Sequence, residues 1–95
     1  MKGFMYILEC NDSSYYIGST TNLKERLSQH LQGLGANYTK ERLPVKLVYF
    51  EEFQNIEYAF IREKQLQKWS RKKKQALIIG NIENLKIYSK SKNSF

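Results

Sequence analysis

Three short runs of apolar residues, at positions 4–10, 15–19 and 45–53, predict β-strands. Asn, Asp and Ser occupy positions 11–13 between the first two runs. These side chains favour a tight turn because they hydrogen-bond their own backbone. The first two strands are therefore predicted to form a β-hairpin.

The register of this hairpin decides which side chains share a face of the sheet. If Cys10 lies opposite Ser14, then Leu8 lies opposite Tyr16, and the alternation of side chains places Tyr6 on the same face as Tyr16. A slip of one residue would put the two tyrosines on opposite faces.

A helical pattern begins at Asn22, which together with Glu25 three residues later resembles a capping box. Leucines spaced three or four residues apart predict its buried stripe, and two glycines are expected to end it. The leucines are Leu23, Leu27, Leu31 and Leu34, and the glycines are Gly33 and Gly35.

Two further helices are predicted, from about residue 55 to 69 and from residue 71 to 79. Ser70 is placed to cap the second of them, and Gly80 is expected to close it. Residues 36–43 are predicted to form a loop. The order of elements is therefore β-β-α-β-α-α, which belongs to the α/β (α+β) class.

Length and composition predict a single domain at residues 1–85, followed by a basic, flexible tail at residues 86–95. The 95-residue chain is 41% apolar, and its one cysteine and one histidine exclude a disulfide framework and a Cys/His zinc cluster. No apolar run approaches the roughly 18–20 residues of a membrane span, and no signal-peptide pattern opens the chain. The protein is expected to be cytoplasmic, with no membrane partner.

The net charge of +7 is distributed unevenly. Residues 1–60 hold six basic and seven acidic side chains, whereas residues 61–95 hold ten basic and two acidic ones. A localised basic region predicts a polyanion as partner, most simply nucleic acid; the alternative is a solubilising, lysine-rich surface. The candidate nucleic-acid contacts are Lys64, Lys68, Arg71, Lys72, Lys73 and Lys74.

Three polar residues fall on helix faces that should be buried. Arg26 and His30 are neighbours on the first helix, with His30 on its leucine stripe, and Glu63 lies near the middle of the inward sector of the second helix. That sector is predicted from Ile56, Ala59, Phe60, Leu66 and Gln67. A buried carboxylate is costly unless it is paired, hydrogen-bonded or bound to a cation.

Each of these residues also has an ordinary structural explanation. His30 could be a hydrogen-bonded core histidine, and Glu63 could form an ion pair with Arg26 or Arg62. Together with Tyr6 and Tyr16, however, these polar residues form a set suited to phosphodiester hydrolysis. That reaction needs a proton acceptor for the attacking water and positive charge near the phosphate.

The spacing of these residues resembles that of the GIY-YIG nuclease family, in particular its small single-domain bacterial branch, which is related to the nuclease module of the excision-repair endonuclease. The resemblance spans residues 4 to about 80. It rests on Phe4-Met5-Tyr6, Tyr16-Ile17-Gly18, Arg26, His30 and Glu63, and on the stretches at residues 16–23, 44–49 and 62–70.

The resemblance implies a three-stranded, largely antiparallel sheet flanked by helices and a metal-dependent endonuclease acting on DNA. It implies one Mg²⁺ (or Mn²⁺) with Glu63 as its only protein ligand. Tyr6 and Tyr16 would line the site, one as general base and the other positioning water or phosphate.

The resemblance also implies roles for the remaining site residues. Arg26 would stabilise the phosphate in the transition state, and His30 would assist it or orient a tyrosine. Gly18 would leave room for the phosphate to approach, and Asn81 would match a polar residue that some members carry.

The sequence departs from the family pattern at three points. Phe-Met-Tyr replaces Gly-Ile-Tyr, and Ser19 stands where some members, including the repair enzyme, have lysine. The 95 residues also leave no room for a DNA-recognition domain, so target choice is expected to come from a protein partner or from DNA structure. The alternative is a catalytically weak or inactive nucleic-acid-binding module with the same fold.

Overall fold

The computed structural model describes the backbone of residues 1–90 and the side chains of residues 1–80. Its fold is α+β, with the element order β-β-α-α-β-α-α. The elements are β1 (Gly3–Glu9), β2 (Tyr15–Thr20), α1 (Leu23–Leu31), α2 (Asn37–Lys40), β3 (Lys46–Phe53), α3 (Ile56–Gln67) and α4 (Arg71–Lys90).

The three strands form one antiparallel sheet in the order β2-β1-β3. Leu8 lies opposite Tyr16 and Tyr6 lies opposite Gly18, so the predicted hairpin register is confirmed. Because side chains alternate along a strand, Tyr6 and Tyr16 share one face of the sheet. The central strand β1 is the most deeply buried part of the fold.

Each face of the sheet has its own apolar core. One face carries Met5, Ile7 and Ile17 and is covered by α3 and α4 through Ala59, Leu66 and Ile78. The opposite face carries Tyr6, Leu8 and Cys10, with Leu23 and Leu27 of α1 packed against them. The two layers of helices therefore enclose the sheet on both sides.

Helix α1 begins as predicted, because the Asn22 side chain accepts a hydrogen bond from the backbone N–H of Glu25 at 3.1 Å. Its predicted stripe is wrong at the C-terminal end, where Leu31 is 52% exposed and Leu34 is 69% exposed. The helix ends at Leu31, and Gly33 takes a positive φ of 78° that redirects the chain. The 3.6-residue period therefore stops applying before Leu34.

The predicted loop at residues 36–43 contains the short helix α2, so the predicted element order is wrong at this point. Four residues are too few to show a helical period in the sequence. The helix also lacks a side-chain cap at Ala36, and its one buried residue, Thr39, is polar. Tertiary contacts rather than local propensity therefore place α2.

Helix α3 turns a narrower face to the sheet than predicted. Ala59, Glu63 and Leu66 follow an i, i+4, i+7 spacing and point inward, whereas Phe60 is 50% exposed and Gln67 is also exposed. The prediction that Phe60 and Gln67 are inward-facing is therefore wrong, and the prediction for Glu63 is confirmed.

Helix α4 begins after Ser70, whose hydroxyl accepts a hydrogen bond from the Lys73 N–H at 3.2 Å, and it continues through Gly80 to Lys90. The expected stop at Gly80 is wrong, because a glycine inside a helix costs only about 0.5–1 kcal/mol and nothing here requires a positive φ. Of the predicted tail, residues 91–95 lie outside the described residues. No helix in the described part of the chain has the length and apolar character needed to cross a membrane.

Candidate active site

Tyr6 is 1% exposed, and its ring lies over Gly18 of the neighbouring strand. A Cβ atom at position 18 would lie 2.5 Å from the Tyr6 hydroxyl oxygen, which is closer than side chains tolerate. Gly18 is therefore required sterically by the Tyr6 ring. Its implied role in phosphate approach stays a prediction.

A chain of buried hydrogen bonds runs from Tyr6 into the helices above it. The Tyr6 hydroxyl oxygen lies 2.8 Å from His30 Nε2, and His30 Nδ1 lies 2.8 Å from Thr39 Oγ1. The Thr39 hydroxyl donates to the Ala36 carbonyl at 3.0 Å. Because His30 and Thr39 are both 0% exposed, this chain connects β1, α1 and α2 without access for water.

Burial sets the protonation states of Tyr6 and His30. Burial raises the pKa of Tyr6 to about 12; the nearby Arg26 guanidinium opposes this rise, and negative charge on Tyr16 and Glu63 adds to it. Burial and the charge of Arg26 lower the pKa of His30 to about 4. Near neutral pH, Tyr6 is therefore a neutral phenol and His30 a neutral imidazole.

Arg26 and Tyr16 lie on the same side of the sheet as this buried chain. The Tyr16 ring centroid is 6.3 Å from that of Tyr6 and 5.2 Å from that of His30. Although burial disfavours the charge of Arg26, its interactions with the two phenol oxygens outweigh that cost and raise its pKa. One permanent cation thus faces two tyrosine hydroxyls, while its Nη1 is held at 3.0 Å by the Gln29 side chain.

Helix α2 also contributes an aromatic side chain to the site. Tyr38 stacks on Tyr16 with ring centroids 6.2 Å apart, and the Arg42 guanidinium lies 3.8 Å from the centre of the Tyr38 ring. The Tyr38 hydroxyl donates to Ser14 Oγ at 2.7 Å. Tyr38 is itself held by Arg42 at its ring and by Ser14 at its hydroxyl group. Its stacking therefore keeps the Tyr16 ring at the entrance of the site.

Glu63 lies across β2 from the tyrosines, with its side chain 12% exposed. The Ser19 hydroxyl donates to Oε1 at 2.6 Å, and the Gln67 amide donates to Oε2 at 2.9 Å. Lys64 Nζ stands 3.6 Å from Oε2. Ser19, which follows Gly18 on the strand, therefore binds the carboxylate directly.

The ion pair of Glu63 with Arg26 or Arg62, considered above as an alternative, is not observed. Arg62 makes a two-point hydrogen bond to Glu51 of β3, with Nε–Oε1 and Nη2–Oε2 distances of 2.9 and 3.2 Å. That pair is half-buried at a different place in the fold. Glu63 is thus held by neutral hydrogen-bond donors and one lysine.

The two halves of the site meet at the free edge of β2. Because β2 is an edge strand, a ligand that reaches this edge can contact side chains from both faces of the sheet. A pocket of about 210 Å³ joins the halves, since Tyr16 from one face and Gln67, the partner of Glu63, both line it. The other lining residues are Tyr15, Ile17, Tyr38 and Lys74.

Glu63 has the character of a single protein ligand for a hard divalent cation. A carboxylate offers about four lone-pair positions, and Ser19 and Gln67 use two of them. No group of three His, Cys, Asp or Glu side chains forms a metal cage in the part of the chain that the structure describes. This donor set fits Mg²⁺, which binds one or two carboxylates and keeps water and phosphate as its other ligands.

The six predicted nucleic-acid contacts do not lie on one face. Arg71 stands over the Tyr15 ring, with its guanidinium 4.5 Å from the ring centre, and Lys74 lines the 210 Å³ pocket with Tyr16. Lys73 instead stands 4.3 Å from the centre of the Trp69 ring. The remaining three are Lys64 and Lys68, which line a groove on the outer side of α3, and Lys72, which is exposed.

Four residues of the site were not identified from the sequence as part of it. Thr39 and Tyr38 lie on the unpredicted helix α2, Gln67 was placed in the core, and Ser19 was noted only for the lysine that it replaces. The spacing of Gln67 four residues after Glu63 could have identified it as a hydrogen-bond partner. The Asn81 side chain lies outside the described residues.

A family model described as the GIY-YIG catalytic domain matches residues 2–76. A UPF0213 protein of Streptococcus pneumoniae is 46% identical over 88 residues, which cover 92% of this chain and 89% of the relative. A UPF0213 protein of Clostridium perfringens is 44% identical over 90 residues, covering 95% of this chain and 97% of the relative. Their names state a family number and no activity.

Two solution NMR structures resemble this fold. A UPF0213 protein from Bacillus halodurans is 41% identical, with a TM-score of 0.54 over 82% of this chain and 83% of the other. A protein from E. faecalis is 33% identical, with a TM-score of 0.56 over 86% and 88% of the two chains. The three-stranded sheet with flanking helices is therefore shared by experimentally determined relatives.

Proposed function

Since this chain belongs to the GIY-YIG family, a family of nucleases, we propose that it is a metal-dependent endonuclease that hydrolyses DNA phosphodiester bonds. The observation that carries this proposal is the grouping of Arg26 with Tyr6 and Tyr16 on one face of the sheet, beside the edge strand β2, while Ser19 on the other face of β2 binds the Glu63 carboxylate. Positive charge, a proton acceptor and a cation ligand thus lie along one edge of the sheet.

In this proposal Tyr16 is the general base. A pKa of about 12 leaves Tyr6 with roughly one hundredth of the tyrosinate of an ordinary tyrosine at any neutral pH. Tyr6 also lies in contact with His30, which occupies its hydroxyl group. Tyr16 is only half-buried, lines the pocket at the strand edge and stands beside the Arg26 guanidinium.

Arg26 binds the scissile phosphate in this scheme. Its planar guanidinium can donate two parallel hydrogen bonds to phosphate oxygens, and its charge offsets the negative charge that develops as water attacks. Gln29 holds one end of the guanidinium in place. Tyr6 and His30 form the buried side of the site beside Arg26, and the Tyr6 oxygen interacts with the Arg26 guanidinium.

Glu63 is proposed to hold the divalent cation, with Ser19 and Gln67 orienting its carboxylate. Mg²⁺ or Mn²⁺ bound there would supply positive charge for the leaving oxygen. The substrate strand is expected to run along the edge of β2 between Arg26 and Glu63. Arg71 and Lys74 flank that path and are the basic residues best placed to contact neighbouring phosphates.

Two features favour a second candidate, a nucleic-acid-binding module without strong hydrolytic activity. Both Glu63 oxygens already have hydrogen-bond partners in the protein, and Ser19 stands where the family pattern has lysine in some members. A satisfied carboxylate and a missing cation would both lower catalytic power. The buried Glu63 has no evident use in such a module, so we rank the endonuclease first.

The test is incubation of the purified protein with end-labelled plain duplex, nicked, flapped and single-stranded DNA, each with Mg²⁺, Mn²⁺ or EDTA. We expect cleavage of at least one substrate with either metal and none with EDTA. Salt-dependent binding to all of these substrates without cleavage of any would select the binding module instead. RNA versions of the same substrates show whether the activity is confined to DNA.

A further inference from the structure

We propose that Thr39 is a positioning residue that fixes the tautomer of His30 and, through it, the direction in which the Tyr6 hydroxyl points. The catalytic consequence of this inference rests on the proposed nuclease function, whereas the tautomer itself does not. The geometry assigns each proton in the buried chain of Tyr6, His30 and Thr39.

The assignment begins at the Thr39 hydroxyl, which has a single hydrogen. That hydrogen is donated to the Ala36 carbonyl at 3.0 Å, since a carbonyl oxygen can only accept. Towards His30 Nδ1, 2.8 Å away, Thr39 Oγ1 can therefore only act as an acceptor. Both Thr39 contacts are hydrogen bonds at once only if His30 carries its hydrogen on Nδ1.

The remaining protons follow from the neutral charge of the ring. A neutral imidazole has one N–H, so with Nδ1 protonated its Nε2 is an acceptor. The Tyr6 hydroxyl, 2.8 Å away, must donate to it. A second hydrogen on the ring is opposed by complete burial and by the charge of Arg26, which lower the pKa of His30 to about 4.

The direction of the Tyr6 hydroxyl decides what it offers to the catalytic cleft. With its hydrogen directed to His30, Tyr6 presents only oxygen lone pairs towards the Arg26 guanidinium, which interacts favourably with the phenol oxygen. In the other tautomer, His30 Nε2–H would donate to Tyr6, and the phenol hydrogen would turn towards the N–H groups of Arg26. Two donors would then face each other.

The imidazole ring is closely packed. It is 0% exposed, and a Cβ atom on Gly35 would collide with His30 Nδ1. This packing opposes rotation of the ring away from Thr39. In the part of the chain with described side chains, no buried side-chain N or O atom lacks a hydrogen-bond partner.

His30 is the one histidine of the chain, so ¹⁵N NMR of the imidazole tests the inference without ambiguity. Long-range ¹H–¹⁵N correlations at pH 7 distinguish a protonated from a bare ring nitrogen. We expect the wild type to show Nδ1 protonated and Nε2 bare. A wild-type spectrum with Nε2 protonated would overturn the inference, whatever the DNA-cleavage assays show.

The variants are Thr39→Val, which keeps the shape but removes the acceptor, and Thr39→Ser, which restores it. We expect Thr39→Val to lose the pure Nδ1–H signature and to reduce kcat about tenfold, with KM changed less than twofold. Thr39→Ser should recover the Nδ1–H signature and a kcat within about twofold of the wild type. The control Thr21→Val, on an exposed threonine, should match the wild type in both measurements. If Thr39→Val does not fold, the wild-type and Thr39→Ser spectra still decide the tautomer.

Two outcomes separate this inference from the proposed function. A Thr39→Val protein that folds and keeps the Nδ1–H tautomer, or keeps wild-type kcat, would contradict Thr39 as a positioning residue. Failure of the wild type to cleave any DNA substrate, with the expected tautomer present, would contradict the nuclease proposal and its catalytic consequence while leaving the tautomer assignment correct.

Discussion

Tyr6 and Tyr16 share one face of the sheet but occupy different environments. Tyr6 is enclosed by Gly18 and His30 and has a raised pKa of about 12. Tyr16 lies at the edge of the sheet, stacked on Tyr38 and open to the pocket. Burial and hydrogen bonding, rather than residue type, therefore distinguish the two tyrosines.

Replacement of each tyrosine by phenylalanine should give different results. Tyr16→Phe removes the proposed general base and should reduce cleavage at least a hundredfold, with little effect on stability. Tyr6→Phe leaves His30 Nε2 buried without its partner and should lower the free energy of unfolding by about 1–3 kcal/mol. Single-turnover cleavage and urea unfolding measure the two effects. A greater loss of cleavage in Tyr6→Phe than in Tyr16→Phe would contradict the assignment of the base.

The lowered pKa of His30 predicts how stability depends on pH. The folded pKa of about 4 lies below the ordinary value of 6.5, so the unfolded chain takes up the proton first as the pH falls. The contribution of His30 is complete above pH 6.5 and is lost as the pH falls towards 4, by on the order of 3 kcal/mol in total.

Two measurements check this pH dependence. In urea unfolding, the free energy of unfolding should fall more steeply for the wild type than for His30→Gln as the pH is lowered from 6.5 to 4.5. NMR titration of the wild-type imidazole should show a neutral ring at pH 5. A midpoint near 6.5 in the folded protein would show that the ring is not enclosed as described.

At the level of elements, the short helix α2 supplies the site with two side chains that point in different directions. Thr39 turns inward to His30, and Tyr38 turns outward to Tyr16. Four residues carry no readable helical period, and the contacts that hold α2 join it to α1 and to the β1–β2 turn. The sequence around residues 36–43 therefore could not indicate this helix.

Other features could be predicted because they depend on local periodicity. The two-residue period of the hairpin places Tyr6 beside Tyr16, and the 3.6-residue period of the helices buries His30 and Glu63. Of the two hydrogen-bond partners of Glu63, Ser19 could not be predicted in this way. Ser19 is 44 positions away in sequence and meets Glu63 only because α3 packs on β2.

The close packing of the Tyr6 side chain on Gly18 can be tested by adding a methyl group at position 18. Gly18→Ala forces a Cβ against the Tyr6 hydroxyl and should destabilise the fold by about 1–3 kcal/mol while displacing Tyr6. Gly80→Ala is the matched control, because among the described residues nothing outside its own stretch of helix lies within 4 Å of its Cβ position. It should stabilise by roughly 0.5–1 kcal/mol. Equal thermal shifts for the two variants would contradict this packing.

Across the whole molecule, we expect the contribution of each basic residue to DNA binding to depend on its position relative to the edge of β2. Arg71→Gln together with Lys74→Gln should reduce the slope of log affinity for duplex DNA against log salt by about two, near 0.9 for each lost phosphate contact. The control is the double variant Lys2→Gln and Lys46→Gln, which removes the same number of positive charges. These two lysines form surface ion pairs with Glu52 and Glu9. Fluorescence anisotropy over a range of salt concentrations measures both slopes. Equal slopes for the two double variants would show that Arg71 and Lys74 make no phosphate contacts and only solubilise the surface.

The proposed metal-dependent endonuclease activity is tested most directly by replacing Glu63, its one proposed metal ligand. Glu63→Gln keeps the shape of the side chain and lets the Ser19 hydroxyl continue to donate, so the fold and DNA affinity should survive. Glu57→Gln removes an exposed carboxylate from the same helix as the control. In single-turnover cleavage with Mg²⁺, we expect Glu63→Gln to be at least about a hundredfold slower and Glu57→Gln to match the wild type within about twofold. Equal rates for Glu63→Gln and the wild type would contradict Glu63 as the metal ligand.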